Sequence, residues 1–374
     1  MTEELIESWD QVEDSIGEGE EIFRDLGKTW AEAILSADLS LEEREEWIEK
    51  LEEWEEQEDS SCDTDGLDIA VAAATYGWDY PPLLLVLQGE ITEMGAWGGE
   101  APDCADGLAV VRLDILERQG RLQEAVYLSE AEGQYDRHMA LLVQMGRGKE
   151  AVEYGMEALS SADKALDLAK ILDQFGEKAL AIIVGVRGLT LANPSYRLAT
   201  WLRDTSMEAG DAEIAIQASK TALKLQPQLS DYELLKQISG DQWLTLRTET
   251  LQVLRDSKIF ELSGKVDIFI SEGLMSEALN AVRKDDWNYD LIAKAVDAAT
   301  PTLPLEVIPI CKKQAETIMD GGKADRYHHA ARWVERARDA YRVAKQEGDW
   351  LAYKDGLLAT HQRKYKLVPL LRNL

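Results

Sequence analysis

One turn motif recurs along this chain and limits what it can fold into. It consists of a glycine followed within five residues by an alanine, and it begins a new helical stretch each time. The copies are GRLQEA (120–125), GRGKEA (146–151), GEKA (176–179), GDAEIA (210–215), GLMSEA (273–278) and the looser GGKADRYHHAA (321–331). Glycine supplies the positive φ that ends one helix, and a small alanine lets the next helix approach its neighbour closely.

The spacing of these glycines indicates a repeat of helical hairpins. Successive gaps are 26, 30, 34 and 63 residues, and 49 residues to the second glycine of the last copy. The first three are close to the length of one helix pair, and the gap of 63 leaves room for a degenerate turn. Stacked helical hairpins with this period are typical of tetratricopeptide (TPR) repeats. We therefore predict an all-α, superhelical solenoid of TPR-like helical hairpins.

Apolar periodicity agrees with an all-helical chain. One apolar stripe at steps of three and four comprises Tyr327, Ala330, Ala331, Val334, Ala337 and Tyr341. No run of alternating strand residues stands between turn signals. Helix starts are predicted from a capping box at Ser40 and Glu43, from a second at Ser230 and Glu233, and from the N-cap and first-turn proline of Asn193–Pro194.

Charge is distributed unevenly and suggests three regions. The chain carries a formal net charge of −31, yet residues 321–374 hold 12 Lys or Arg against 6 Asp or Glu. Residues 1–70 hold 26 Asp or Glu against 4 Lys or Arg. We predict an acidic N-terminal helical region at 1–100, TPR-like helical repeats at 101–300, and a basic C-terminal helical cap at 301–374. So acidic a surface repels a nucleic-acid duplex over most of its area.

Features of compartment favour the cytoplasm. The start, MTEELIESWD, has neither the basic nor the apolar region of a signal peptide. The longest apolar runs are far shorter than the roughly 20 residues that span a bilayer. The three cysteines, Cys62, Cys104 and Cys311, are far apart and odd in number, which suits a reducing cytosol.

Motifs that carry chemistry are missing from the sequence. The cysteines lack C-x-x-C spacing, and His328 and His329 are adjacent rather than four residues apart as in a helical metal site. Neither a phosphate-binding P-loop nor a G-x-S-x-G nucleophile elbow is present. We predict a protein that is no enzyme and has no metal and no cofactor. An enzyme of unrecognised type is the remaining alternative.

Four segments carry a resemblance to a known family. They are LSLEEREEWIEKLEEW (39–54), GWDYPPLLLVLQGE (77–90), DYELLKQISGDQWLTLRTETLQVL (231–254) and DWLAYKDGLLATHQRKYKLVPLLRNL (349–374). Together they resemble the helical region that follows the finger in bacterial SWIM zinc-finger proteins. The C-x-C…C-x-H ligands of that finger are missing from this sequence. The resemblance therefore implies a helical scaffold that serves DNA- or helicase-associated complexes, without the zinc.

Three groups of residues are candidates for partner binding. Trp47 and Trp54 lie on an acidic helix, where they form either a packing stripe or a docking surface for a basic partner. Arg332, Arg336 and Arg342 lie opposite an apolar stripe, where they form either a solvated face of mixed charge or a nucleic-acid contact. The third group consists of Arg363, Lys364 and Lys366.

The last group belongs to the segment 361–374, which we predict to close the helical array. Five apolar residues stand within Tyr365–Leu371, too many for a free tail, and Pro369 is expected to break the last helix. The leading functional prediction is a non-catalytic protein-interaction scaffold with a protein partner. The alternative is an accessory subunit of a nucleic-acid-processing complex that contacts nucleic acid through the basic C-terminal helices.

Overall fold

A computed structural model describes residues 18–59, 66–257, 262–283 and 288–374. About three quarters of these residues are helical, and the described ranges contain no β-strand. The prediction of an all-α fold built from helical hairpins is confirmed. The chain forms two compact units, Met1–Leu191 and Ala192–Leu374. Cys62 lies outside the described residues.

Helices of the first unit pack on a sequence neighbour, on the next helix but one, or on both. They are α1 (Glu18–Ser36), α2 (Leu41–Asp59), α3 (Asp68–Thr75), α4 (Pro81–Leu87), α5 (Ala105–Arg118), α6 (Leu122–Ala131), α7 (Tyr135–Gln144), α8 (Gly148–Ala158), α9 (Ala162–Gln174) and α10 (Lys178–Leu189). For example, α7 contacts both α8 and α9, and α8 contacts α10. This arrangement is that of stacked hairpins.

The second unit follows the same rule. Its α-helices are α11 (Tyr196–Ala209), α12 (Ala212–Leu225), α13 (Leu229–Ser239), α14 (Trp243–Asp256), α15 (Ser263–Ser271), α16 (Met275–Val282), α17 (Tyr289–Ala299), α18 (Pro304–Asp320), α19 (Tyr327–Val343), α20 (Glu347–Thr360) and α21 (Val368–Arg372). Short 3-10 helices, Gly240–Gln242 and Ala324–Arg326, precede α14 and α19. One apolar core runs from Ile216 to Leu371.

The glycine turns have the predicted backbone. Five of them have φ between +72° and +82°: Gly120, Gly146, Gly176, Gly210 and Gly273. In the looser last copy, the residue with positive φ is Gly322 rather than Gly321. Gly240, at φ +48°, ends α13 and accounts for the long gap, because it lies between Gly210 and Gly273 at hairpin spacing.

The alanines of the motif occupy one structural position. Ala125, Ala151, Ala215 and Ala278 each follow their glycine by five residues, and each is fully buried. In the GEKA copy the packed residue is Ala181, also five residues after its glycine, whereas Ala179 is exposed. A side chain larger than a methyl group at this position would push neighbouring helices apart.

Of the three predicted helix starts, one is confirmed and two are wrong. The backbone N–H of Ser40 donates to Glu43 at 2.8 Å, and the N–H of Glu43 donates to the Ser40 hydroxyl at 3.3 Å. By contrast, α13 begins at Leu229, so Ser230 lies inside the first turn and makes no cap. Likewise α11 begins at Tyr196 after an extended Ser195, and Asn193–Pro194 lies in the preceding loop.

The C-terminal segment packs onto the second unit. Leu367 and Leu371 are buried and belong to its apolar core. The prediction was wrong for Tyr365, which is 79% exposed. It was also wrong for Pro369, which lies in the first turn of α21 rather than at its end. Proline is tolerated there because the first N–H groups of a helix have no intrahelical acceptor.

Candidate functional site

A cavity of about 670 Å³ opens in the second unit, and basic side chains dominate its wall. We call it the basic groove. Its lining residues are Tyr289, Asp290, Ala293, Thr317, Ile318, Gly321, Lys323, Arg326, His329, Arg332, Trp333 and Arg336. The volume lies in the range of small-ligand and short-segment sites, about 300–1,000 Å³.

Three elements and one turn build the groove. The first turns of α17 form one wall, and the last turn of α18 forms the next. The glycine turn after α18 reverses the chain, and α19 then presents four residues at helical spacing on one face: His329, Arg332, Trp333 and Arg336. Both α17 and α19 begin beside the cavity. Their N-terminal N–H groups add positive potential to that of the side chains.

The cations of the groove are only partly neutralised. Arg336 donates from Nε and Nη2 to the two carboxylate oxygens of Asp297 at 2.7 and 3.0 Å. Its guanidinium also lies 5.1 Å from the Trp333 ring centroid, which fixes its plane. Within the described part of the chain, Lys323, Arg326 and Arg332 form no ion pair. Their charges face the cavity, and Asp290 is the one acidic side chain among the described residues of its lining.

His329 lies among these cations. Its ring centroid is 3.9 Å from that of His328. Partial desolvation, followed by the charges of His328, Arg332 and Arg326, holds the pKa of His329 below its usual value, and Asp290 acts in the opposite direction. The imidazole is therefore mostly uncharged at pH 7. It can donate a hydrogen bond without adding to the positive charge of the groove.

The structure brings two of the predicted site residues together and separates the others. Arg332 and Arg336 share the basic groove. Arg342 lies farther along α19, with its side chain 67% exposed and 3.8 Å from Asp339. In the C-terminal segment Arg363 and Lys366 are exposed, whereas the Lys364 Nζ donates to the carbonyl of Met319 at 2.6 Å.

Trp47 and Trp54 pack inside the first unit. Their ring centroids lie 4.8 and 5.6 Å from that of Trp30 on α1, and Trp54 is buried. Lys50 Nζ lies over the Trp54 ring, 4.9 Å from its centroid. These contacts describe a packing stripe between α1 and α2. A docking role for the acidic face of α2 stays a prediction.

Sequence reasoning missed most of the groove. Lys323, Arg326 and His329 precede the predicted arginines, and Tyr289 and Asp290 come from a different helix. One signal was available: in ADRYHHAARWVER, Arg326, His329, Trp333 and Arg336 recur at steps of three and four. That period places them on one face. The contribution of α17 depends on tertiary packing and leaves no such signal.

Two thiols lie away from the groove and are held protonated. Burial raises the pKa of Cys104 to about 11, with the nearby Asp68 charge as a second cause. Burial raises the pKa of Cys311 to about 12. Across the described ranges, no three His, Cys, Asp or Glu side chains are placed to hold a metal ion. No described helix has the length and apolar character required to cross a bilayer.

No protein-family model matches this chain, and no curated protein matches it significantly. The resemblance to the helical region of SWIM zinc-finger proteins therefore rests on the four quoted segments alone.

Proposed function

We propose that this chain is a non-catalytic protein-interaction scaffold of the bacterial cytoplasm, and that the basic groove binds an acidic segment of a protein partner. The observation that carries the proposal is the charge of the groove. Lys323, Arg326 and Arg332 face one cavity without ion pairs to described residues, in a chain whose formal net charge is −31.

A positive patch on an otherwise negative surface selects a negatively charged partner by electrostatic complementarity. An acidic segment gains from the groove and is repelled elsewhere, so the groove fixes where it docks. The side chain of Thr317 is already engaged, because its hydroxyl donates to the Lys313 carbonyl at 2.7 Å. The lining thus offers charge and hydrogen-bond donors for binding rather than an activated nucleophile.

Hairpin stacking supports a scaffold role in a second way. Helical-repeat arrays present long surfaces on rigid helices, and such surfaces commonly bind extended or helical segments of other proteins. We further propose that the chain is related to the helical region of the SWIM proteins, on the packing motifs already quoted.

The proposal is tested by fluorescence anisotropy with a labelled Glu- and Asp-rich peptide of about twelve residues. A matched peptide with Gln and Asn in place of the acids is the control. We expect binding of the acidic peptide alone, and a loss of about tenfold in Arg326→Gln/Arg332→Gln, since each solvent-exposed ion pair contributes about 0–1 kcal/mol. Arg342→Gln removes the same charge from α19 outside the groove and should bind normally. Equal affinity for the two peptides would contradict the proposal.

A second candidate function is nucleic-acid contact through the basic C-terminal helices. Arg363 and Lys366 favour it, because both are exposed and form no ion pair with a described residue. Binding of a single-stranded oligonucleotide at 50 and 200 mM salt tests it. Phosphate contacts by these side chains give a steep salt dependence that Arg363→Gln/Lys366→Gln should flatten.

A further inference from the structure

The charge balance of the basic groove specifies its ligand more closely than an acidic segment in general. Four Lys or Arg side chains line the cavity: Lys323, Arg326, Arg332 and Arg336. Asp290 on the wall and Asp297 on Arg336 offset two of these charges. His329 adds little, because its lowered pKa leaves it mostly uncharged at pH 7. Among the described residues that line the cavity or pair with a lining residue, about two positive charges thus remain for a ligand.

From this balance we infer that the groove selects a phosphoryl dianion, carried on the partner's acidic segment, over a carboxylate, and that Lys323, Arg326 and Arg332 bind it. The inference rests on the proposed function. A phosphorylated serine or threonine carries a charge of about −1.5 to −2 at pH 7 and three acceptor oxygens. A carboxylate carries one negative charge, so it leaves about one positive charge of the groove uncompensated.

The donors also suit a phosphoryl group in number. Two guanidinium groups, one ammonium group and the imidazole of His329 line the same cavity and together offer more donors than three oxygens require. Guanidinium forks match phosphate oxygens in pairs, which makes these hydrogen bonds stronger than those of neutral donors. The N-termini of α17 and α19 beside the cavity favour the same charge.

Arg336 has a different role in this arrangement. Its two hydrogen bonds to Asp297 and its position over Trp333 hold it in place, so it shapes the wall rather than moving to a ligand. Changing Arg336 would also free Asp297 inside the structure. Arg332 is the sharper probe, because it is exposed and its replacement breaks no ion pair between described residues.

Three fluorescent peptides of one acidic sequence test the inference, with serine, phosphoserine or glutamate at the central position. We expect the phosphoserine peptide to bind about tenfold more tightly than the glutamate peptide, which corresponds to about 1.4 kcal/mol. Arg332→Gln should abolish most of that preference, and Arg342→Gln should preserve it. A circular dichroism spectrum checks that both variants remain folded.

The outcomes separate this inference from the proposed function. If all three peptides bind equally and Arg332→Gln weakens them equally, the phosphoryl inference is wrong and the acidic-segment proposal stands. If none binds, both are wrong. If phenyl phosphate displaces the phosphopeptide with an affinity equal to that of the phosphopeptide itself, the groove binds a free phosphate compound. The inference that it recognises a phosphorylated segment is then wrong. If a single-stranded oligonucleotide binds more tightly than the phosphopeptide through Arg332, the partner is a nucleic acid and the inference is overturned.

Discussion

Arg203 on α11 donates from Nη1 to the carboxylate of Asp231 on α13 at 2.6 Å, and both side chains are buried. The hydroxyl of Tyr196 donates to the second carboxylate oxygen at 2.7 Å. Desolvation and this carboxylate raise the pKa of Tyr196 to about 12, so the phenol stays protonated as a donor. The Asp231 carboxylate therefore joins α11 and α13 through two hydrogen bonds, one to each of its oxygens.

Removing that carboxylate should destabilise the second unit strongly. We expect Asp231→Ala to lower the free energy of unfolding by about 1.5–3 kcal/mol, because Arg203 and Tyr196 lose their shared acceptor while Arg203 keeps its ion pair with the exposed carboxylate of Asp204. Glu150→Gln is the control, since the Glu150 carboxylate is exposed and its ion pair with Arg147, three residues earlier, is screened by solvent, so its loss should change stability little. Urea denaturation measures both. Similar losses in the two variants would refute the stated role of Asp231.

The same carboxylate shows why a local sequence pattern can fail. Ser230 and Glu233 fit a capping box, yet α13 begins one residue earlier, at Leu229, and Asp231 lies in its first turn, bound to α11. The start of α13 therefore has no side-chain cap, and its first turn instead carries the tertiary ion pair between Asp231 and Arg203. At Ser40 no such contact competes, and the predicted reciprocal cap forms.

Glycine turns could be predicted because their requirement is local. A positive φ excludes branched side chains whatever the surroundings, so the glycine itself marks the end of the helix. The basic groove could be predicted only in part. Arg332 and Arg336 follow from one helical face, but Tyr289 and Asp290 reach the site through packing of α17 against α18, which no local period encodes.

Two glycines provide a matched test of the turn. Gly210 has φ +79°, whereas Gly99 has no positive φ and would have open space around an added Cβ. Gly210→Val should lower the free energy of unfolding by about 1–2 kcal/mol from the backbone alone. Gly99→Val should leave it nearly unchanged. Equal melting temperatures would count against the turn as the element that ends α11.

Lys345 occupies the position that glycine takes in the other turns. Its φ is +58°, its N–H donates to the Arg342 carbonyl at 3.1 Å, and the next N–H donates to Tyr341 at 2.9 Å. Gly210 makes the same pair of bonds. We expect Lys345→Gly to stabilise the chain by about 1 kcal/mol, because glycine adopts this backbone without strain. Lys345→Ala retains a Cβ and should gain little; a larger gain for alanine would disprove the explanation. Thermal melts decide between them.

Cysteine reactivity tests the raised pKa values of Cys104 and Cys311. In a Cys62→Ser background, the remaining thiols should react with iodoacetamide at pH 8 at least about a hundred times more slowly than free cysteine, and Cys311 more slowly than Cys104. Thiolate is the reacting form, and pKa values of about 11 and 12 leave little of it. Mass spectrometry of timed samples gives the rate at each residue. Labelling of Cys311 at the rate of a free thiol would contradict its burial.

The C-terminal segment should stabilise the second unit through its leucines rather than its charges. Leu367 and Leu371 are buried, so Leu367→Ala/Leu371→Ala should lower the free energy of unfolding by about 4 kcal/mol or more, since each buried leucine replaced by alanine costs about 2–5 kcal/mol. Leu370 is only partly buried, so Leu370→Ala should lower the free energy of unfolding by less. Tyr365→Ala and Arg363→Gln should have little effect, because both side chains are exposed.

Lys364 separates charge from hydrogen bonding within that segment. Because its Nζ donates to the Met319 carbonyl near the end of α18, we expect Lys364→Gln to destabilise the chain by about 0.5–1.5 kcal/mol, more than Arg363→Gln, although both remove one positive charge. Urea denaturation of the five variants gives the order directly. If the double leucine variant unfolded at the wild-type midpoint, the segment would be a free tail. Equal effects of the two charge variants would show that the bond to Met319 contributes nothing.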